Sequence, residues 1–450
     1  MTKPSGMNIP HVVVVGGGFG GMSVVSALAR TPARVTLIDR RNHHLFQPLL
    51  YEVATAALSP AQIAVPLRHV FRRQKNASVI LGDVTSVELD MKTVVVDGEQ
   101  VPFDYLVLAT GSTHHYFGND SWSTRAPGLK SIDDALEIRR RFLLTFERAE
   151  RCSDPEERQR LLTTVIVGGG PTGIELAGTM SEVAKRVLQG EFRSLDPSCL
   201  QIVLAEGADR LLPALAPELS ARAKTDLEKL GVDVRLKTLV TEIDERGVAL
   251  ESGERIGSAN VVWAAGVCGA PVEGGLDAFL RDDKRLRVEP DLSLTGHPRV
   301  FAIGDLAYVE SNGAPVPGLA PAALQMGKHV GKILAREIGR GASVESRTAF
   351  EYWDKGTLAT IGRGKAVADI GRFKFGGVVA WLLWVFVHIA FLVGFRSRVM
   401  VLFEWGYAYI TFRRGARLIT GGKTAAAELD ASSDIGKKRA ADEPALSAST

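Results

Sequence analysis

Residues 11–30 read HVVVVGGGFGGMSVVSALAR. His11–Val15 is a short β-branched run of the kind that forms a buried parallel strand. It runs directly into six turn residues, Gly16–Gly21, and Met22–Arg30 then has helical spacing. Val35–Ile38 is a second apolar strand, ending at Asp39, 18 residues beyond Gly21. Strand, glycine turn, helix, strand and acid describe one βαβ unit. Gly16, Gly18 and Gly21 satisfy G-x-G-x-x-G, with Phe19 and Gly20 inside it. The first glycine makes the tight turn, the second lets a pyrophosphate reach the backbone, and the third lets helix and strand approach closely. The helix N-terminus offers unpaired N–H groups to the phosphates, and Asp39 is placed to accept from ribose hydroxyls. A purely structural glycine turn is the competing reading.

The same order of events recurs 152 positions later. Thr164–Val167 is a strand, Gly168–Gly173 (GGGPTG) the turn, Ile174–Leu188 a helical pattern and Leu200–Leu204 the next strand. Gly168, Gly170 and Gly173 repeat the fingerprint, with Pro171 and Thr172 inside it. The acid here is Glu206, 33 residues past Gly173, with an insertion around Gln189–Ser198 filling the gap. Glu206 reads either as a ribose ligand that disfavours a 2′-phosphate or as a solvated loop acid. Glu175, at the start of the helix, reads either as an acid in the favourable field of the helix N-terminus or as a proton relay.

Composition sets the outer limits. The chain has 450 residues, 46% hydrophobic and 23% charged, which is ordinary globular composition at a length for about three units. A net charge of +3 provides no field for nucleic acid. Cys152, Cys199 and Cys268 are too far apart for a C-x-x-C dithiol, and no metal site is expected. A strand begun by His11 leaves no room for a targeting peptide. Further strands end at Ala109-Thr110-Gly111, Ala264-Ala265-Gly266 and Ile303-Gly304-Asp305, where small residues let the backbone pass near a ligand. Val79–Val87 with Thr93–Val96, and Val232–Val240 with Val248–Leu250, read as hairpins.

Two dinucleotide sites in one chain imply transfer between two cofactors, or between a nicotinamide and a bound flavin. The paired turns, Ala109–Gly111 and Ala302–Asp305 resemble the two-dinucleotide-binding-domain flavoproteins. That resemblance implies non-covalently held FAD at Gly16, Gly18, Phe19, Gly20, Gly21, Asp39, Arg40, Gln47, Val84, Ala109, Thr110, Gly111, Gly304, Asp305, Ala322 and Gln325. It implies NADH, as substrate, at Gly168, Gly170, Pro171, Thr172, Gly173, Glu175, Glu206, Ala265 and Gly266. The segment His43–Tyr51 (HHLFQPLLY), Tyr352–Gly356 (YWDKG) and Ala359–Arg363 (ATIGR), with the Trp-rich tail, narrow the resemblance to type II NADH:quinone oxidoreductases. This implies hydride transfer from NADH to flavin and two-electron reduction of a membrane quinone, ubiquinone or menaquinone, without proton pumping. Glu175, Gln325 and Lys355 become the candidate catalytic residues: proton relay, quinone contact and charge stabiliser. Many members carry Ala-Gln-x-Ala-x-Gln where this chain reads Ala320-Pro321-Ala322-Ala323-Leu324-Gln325. Pro321 therefore replaces one amide, and Gln325 reads as a quinone contact or as a helix-surface amide.

Gly376–Phe395 contains a single ionisable residue, His388, and Val399–Phe412 is again apolar and aromatic. From Arg363 to Thr420 nine basic residues face two acids, an excess that favours anionic lipid headgroups. Trp381, Trp384, Trp405, Tyr407 and Tyr409 suit a membrane interface. Monotopic anchoring is the favoured reading over a span at 376–395, and a homodimer interface is a third. His388 is read as a satisfied buried histidine. The expected fold is α/β, with two Rossmann-like dinucleotide-binding domains and a C-terminal helical membrane-associated segment. The divisions are 8–118 with 290–345 for FAD, 119–289 for NADH, 346–420 for membrane and quinone, and a disordered tail at 421–450. The expected location is the cytoplasmic face of the inner membrane. A soluble NADH:ferredoxin or rubredoxin reductase and a slow-turnover NADH-sensing flavoprotein are the alternatives.

Overall fold

A computed structural model describes residues 9–411 and 415–420; the tail read as disordered lies outside them. Strand β1 (His11–Val15) leads through the glycine turn to helix α1 (Phe19–Ala27) and strand β2 (Arg34–Asp39). A short helix α2 (Leu50–Ala54) precedes β3 (Ala77–Leu81), and β4 (Tyr105–Leu108) follows a small antiparallel sheet at 84–102. Strand β5 (Ser112–His114) and the 20-residue helix α3 (Ile132–Arg151) lead into the second unit. Its elements are β6 (Thr163–Val167), α4 (Pro171–Glu182), β7 (Gln201–Ala205), β8 (Val232–Arg235) and β9 (Asn260–Trp263). Strand β10 (Val267–Gly269) returns the chain to the first unit, which β11 (Ser293–Leu294), β12 (His297–Ala302) and the long helix α5 (Ala320–Arg340) complete.

The first sheet has the order β11-β12-β4-β1-β2-β3, all parallel except for β11. The second, β8-β7-β6-β9, is wholly parallel. Both central strands, β1 and β6, are buried along their whole length, because a parallel sheet carries helices or further chain on both faces. Their uninterrupted Val and Ile runs follow from that. The two sheets are tied by the antiparallel pair β5–β10, with Thr113 opposite Cys268.

Two expected hairpins resolve differently. The run Val79–Val87 divides: β3 ends at Leu81 and joins the parallel sheet beside β2, while Val84–Glu88 pairs with Thr93–Val96. Val232–Val240 divides in the same way, β8 entering the second sheet and Val240–Asp244 pairing with Gly247–Leu250. Alternation within one run does not reveal which partner each half meets. Helical hydrogen bonding begins at Phe19 rather than Met22, and α4 gives way at Val183 to one π-helical turn.

The C-terminal region contains more than helices. Strands β13 (Thr357–Gly362), β14 (Lys365–Ile370) and β15 (Phe373–Gly376) form an antiparallel sheet laid on α4 and followed by α6 (Val378–Phe391) and α7 (Phe395–Thr411). Gly178 of α4 permits this approach: a Cβ there would lie 1.7 Å from the Ile361 carbonyl oxygen. Among the described residues no helix is long and apolar enough to cross a membrane. The 14 residues of α6 span ~21 Å at 1.5 Å each, against a hydrocarbon core of ~30 Å.

Candidate functional site

The two glycine turns have nearly the same geometry. Gly16 and Gly168 have φ of +104° and +111°, a region that only glycine enters without cost. Their N–H groups donate to Ile38 O and Ala205 O, each at 2.8 Å. A Cβ on Gly21 would meet Gly16 O at 1.9 Å, and one on Gly173 would meet Gly168 O at 1.9 Å. Gly18 and Gly170 are the N-caps of α1 and α4, without a side-chain cap, and nothing lies within 4 Å of either Cβ position. Each turn thus presents uncapped helix N–H groups across an open, side-chain-free face, which suits a pyrophosphate.

Each turn is closed by the acid at the end of the following strand. Asp39 accepts from Gly17 N at 2.5 Å and from Arg41 N at 2.6 Å. Glu206 accepts from Gly169 N at 2.5 Å and from Ala208 N at 2.7 Å. The insertion before β7 therefore leaves Glu206 in the same position that Asp39 holds. His44 supports the first turn, its Nδ1 donating to Gly17 O at 3.1 Å and its ring set edge-on to Phe19 at 4.9 Å. Its Nε2 is buried, with no hydrogen-bond partner among the described residues. That orphaned acceptor, beside a glycine cradle and a ribose-type acid, fits a dinucleotide. The His43–His44 pair entered the sequence reading only as part of a resemblance; the burial of one imidazole against the turn is a tertiary fact.

Beyond the first turn, Thr110 Oγ1 donates to Ala270 O at 2.6 Å, and Gly111 adopts φ +77°. Asp305, after the left-handed Gly304, accepts from Ser112 Oγ at 2.7 Å, which in turn accepts from Lys130 Nζ at 2.9 Å. Burial pulls the Lys130 ammonium pKa down against the opposing pull of Asp305. Lys130 and Ser112 lay outside the sequence expectations, since neither belongs to a motif. Gln47 is exposed and donates to Lys130 O at 3.2 Å. Arg40 is exposed, Val84 pairs with Val96, and Ala322 is buried on α5. In the second unit, Ala264 N bonds Val167 O at 2.7 Å, and Ala265 leads to Gly266, at φ +73°, against the ring of Phe117. Pro171 is exposed and Thr172 half-buried in the first turn of α4.

Glu175 lies on the face of α4 covered by the C-terminal sheet. Burial raises its carboxyl pKa well above the usual range, the Thr360 N–H bond opposes this, and the charge of Glu52 adds to it. Glu52 sits on α2, which packs against α4. It accepts from Tyr51 Oη at 3.1 Å and from Trp405 Nε1, on α7, at 3.3 Å. Glu52 and Trp405 are 353 residues apart, and no sequence pattern links them.

Gln325 is committed at both ends of its amide. Its Nε2 donates to Trp353 O and its Oε1 accepts from Trp353 N, each at 3.0 Å. Trp353 is 70% exposed. The exposed Lys355 places Nζ 5.1 Å from the Trp353 ring centre and 5.7 Å from that of Phe391. Pro321 stands in the first turn of α5, where a missing N–H costs nothing.

The C-terminal aromatics divide into two sets, and this corrects the reading of all five as interface residues. Trp384 is buried, stacked on His388 at 4.0 Å and near Trp405 at 5.3 Å, and Trp405 is half-buried, so both serve the interior. Tyr407 and Tyr409 are exposed, with Phe386, Phe395, Phe403 and Ile410, and the half-buried Trp381 stacks on Tyr409 at 5.4 Å. His388 Nδ1 donates to Trp384 O at 2.7 Å, and burial pushes its pKa down to about 4.

Residues 10–327 match the family model described as pyridine nucleotide-disulphide oxidoreductase, and residues 354–414 match the NDH2 C-terminal domain. A type II NADH:quinone oxidoreductase of Mycobacterium tuberculosis is 43% identical over 422 residues, covering 91% of this chain and 90% of that one. One from Haemophilus influenzae is 33% identical over 400 residues, covering 81% and 88%. Among solved structures, NDH2 from Plasmodium falciparum in complex with NADH aligns with a TM-score of 0.80 at 20% identity, over 92% of this chain and 100% of that one.

Proposed function

The chain belongs to the type II NADH:quinone oxidoreductases, within the pyridine nucleotide-disulphide oxidoreductase family, and on that premise we propose how its residues divide the work. The protein oxidises NADH and reduces quinone through a flavin. FAD is held at the first turn, by the Gly16–Gly21 backbone, Asp39 and Asp305. NADH is held at the second, by Gly168–Gly173 and Glu206. The observation that carries this reading is the repeated closure of a glycine turn by a strand-end acid, Asp39 on Gly17 N and Glu206 on Gly169 N. Two such turns in one chain suit a reaction between two dinucleotides.

When bound, FAD would supply the redox chemistry, hydride acceptance from NADH and two-electron transfer to quinone. The side chains position, insulate and move protons. The overall conversion, NADH + H⁺ + quinone → NAD⁺ + quinol, draws one proton from outside the reactants. Glu175 is the relay for it: burial raises its carboxyl pKa and so favours the protonated form, from which it can donate. The Gln325–Trp353 clasp shapes the quinone side, and Lys355 stands there as an exposed positive charge. Residues 346–420 form the quinone and membrane unit. The exposed apolar faces of α6 and α7, with the basic residues around them, seat the protein on an anionic membrane surface, where quinone is dissolved. We place it on the cytoplasmic face. A soluble ferredoxin-type reductase would have no use for such a face.

The test is anaerobic stopped-flow absorbance of the flavin in detergent-purified protein. Reduction by NADH followed by fast reoxidation with a short-chain quinone is expected. Fast reduction with sluggish reoxidation would overturn the quinone assignment for this chain and favour a sensing role.

A further inference from the structure

Of the two acids read as FAD ligands, Asp305 is the one whose charge no backbone N–H offsets among the described residues. Asp39 takes the N–H groups of Gly17 and Arg41. Asp305 takes one bond, from Ser112 Oγ to its Oδ2 at 2.7 Å, and its Oδ1 has no hydrogen-bond partner among the described residues. The Ser112 hydroxyl in turn accepts from Lys130 Nζ at 2.9 Å. No other side-chain cation among the described residues bonds Ser112 or Asp305.

The fold holds Lys130 at three points. Its N–H donates to Asp134 Oδ2 at 3.0 Å, its C=O accepts from Gln47 Nε2 at 3.2 Å, and its Nζ is fixed on Ser112. The residue is half-buried, and a lysine held this way gives up rotamer freedom that a surface lysine keeps. The three residues arrive from separate places: Lys130 from the segment before α3, Ser112 from the start of β5, and Asp305 from the turn after β12.

We propose that Lys130 is a positioning residue for the flavin: through the Ser112 hydroxyl it compensates the charge of Asp305 and fixes Oδ2, leaving Oδ1 to the cofactor. This rests on the reading of the first turn and Asp305 as the FAD site. The cofactor brings an anionic pyrophosphate to a site that already holds the carboxylates of Asp39 and Asp305. Amide N–H groups screen Asp39, whereas Asp305 depends on a cation one hydroxyl away. A hydroxyl between an ammonium and a carboxylate makes charge-assisted bonds on both sides, which are stronger than neutral ones and reinforce one another.

The experiment follows release of FAD from the diluted holoenzyme by the rise of free-flavin fluorescence. Lys130→Met is expected to quicken release about tenfold. Ser112→Ala is expected to do the same with the lysine still present, and Lys130→Arg, which keeps the charge, to recover most of the loss. Asp305→Asn is expected to quicken release by itself. Lys130→Met added to Asp305→Asn is expected to change the rate little, because the charge it compensates is gone. General loosening of the site would instead add to the Asp305→Asn effect. Equal effects of Lys130→Met in both backgrounds would overturn the proposal. If Asp305→Asn quickens release while Lys130→Met and Ser112→Ala do not, only the role of Lys130 falls. If Asp305→Asn leaves release unchanged or slows it, the reading of Asp305 as an FAD ligand falls and this proposal with it. Should Lys130→Met fail to fold, Ser112→Ala in the two backgrounds makes the same comparison.

Discussion

The side-chain amide of Gln325 pairs with the backbone of Trp353 in both directions, at 3.0 Å each way. It acts as an extra peptide unit, fastening the exposed loop before β13 to helix α5. Pro321 can replace an amide one turn earlier because the clasp does not use that position. Two neutral hydrogen bonds contribute roughly 1–3 kcal/mol. Gln325→Leu is expected to loosen the Trp353–Lys355 loop and raise the KM for a short-chain quinone about tenfold, with a smaller change in the KM for NADH. Steady-state kinetics with each substrate varied in turn checks this. A larger effect on the NADH side would contradict it.

The Gly178–Ile361 approach leaves no space for a methyl group, since the Cβ position is 1.7 Å from a carbonyl oxygen. Gly178→Ala must lift the C-terminal sheet away from α4. Overpacking of this kind costs about 1–3 kcal/mol or more, and Thr360 would lose its place beside Glu175. A fall of several degrees in Tm is expected, with slower quinone reduction. A variant with unchanged Tm and activity would show that the sheet yields freely there.

Burial depresses the His388 pKa to about 4 from 6.5. A histidine held neutral in the folded state contributes stability that is present above pH 6.5 and is lost as pH falls through the folded value, because the unfolded chain takes the proton first. The loss approaches ~3 kcal/mol at the acid end. The protein is expected to lose stability between pH 6.5 and about 4, with a shallower dependence in His388→Phe, which keeps the ring contact with Trp384. Thermal unfolding of both proteins across that window decides it; parallel curves would count against the assignment.

Asp39 and Glu206 make equivalent bonds to different turns, so their loss should separate the two nucleotides. Asp39→Ala is expected to purify with depleted flavin. Glu206→Ala is expected to keep its flavin, raise the KM for NADH, and lower discrimination against NADPH by about tenfold, because a repelling carboxylate is gone. Flavin-to-protein absorbance ratios and paired kinetics with the two coenzymes measure this. Loss of flavin from Glu206→Ala would reverse the site assignment.

Much of this protein was decided locally. Both glycine turns with the strand and helix that flank them were legible because each is written within one short stretch, and a parallel strand buried on both faces allows little but Val, Ile and Leu. The apolar, basic character of the C-terminal region was legible for the same reason. What the chain order could not reveal was partnership. Val79–Val87 reads as one strand, but its halves join different sheets. Trp384 and Trp405 have the composition of interface residues, but the fold turns them inward against His388 and Glu52. Glu175 became more than a helix-start acid only when β13 and α2 closed over it. Gly178 with Ile361, Gln325 with Trp353 and Glu52 with Trp405 meet across separations that leave no periodic trace in the sequence. Burial, and with it the pKa of a carboxyl, belongs to the assembled layers rather than to any segment.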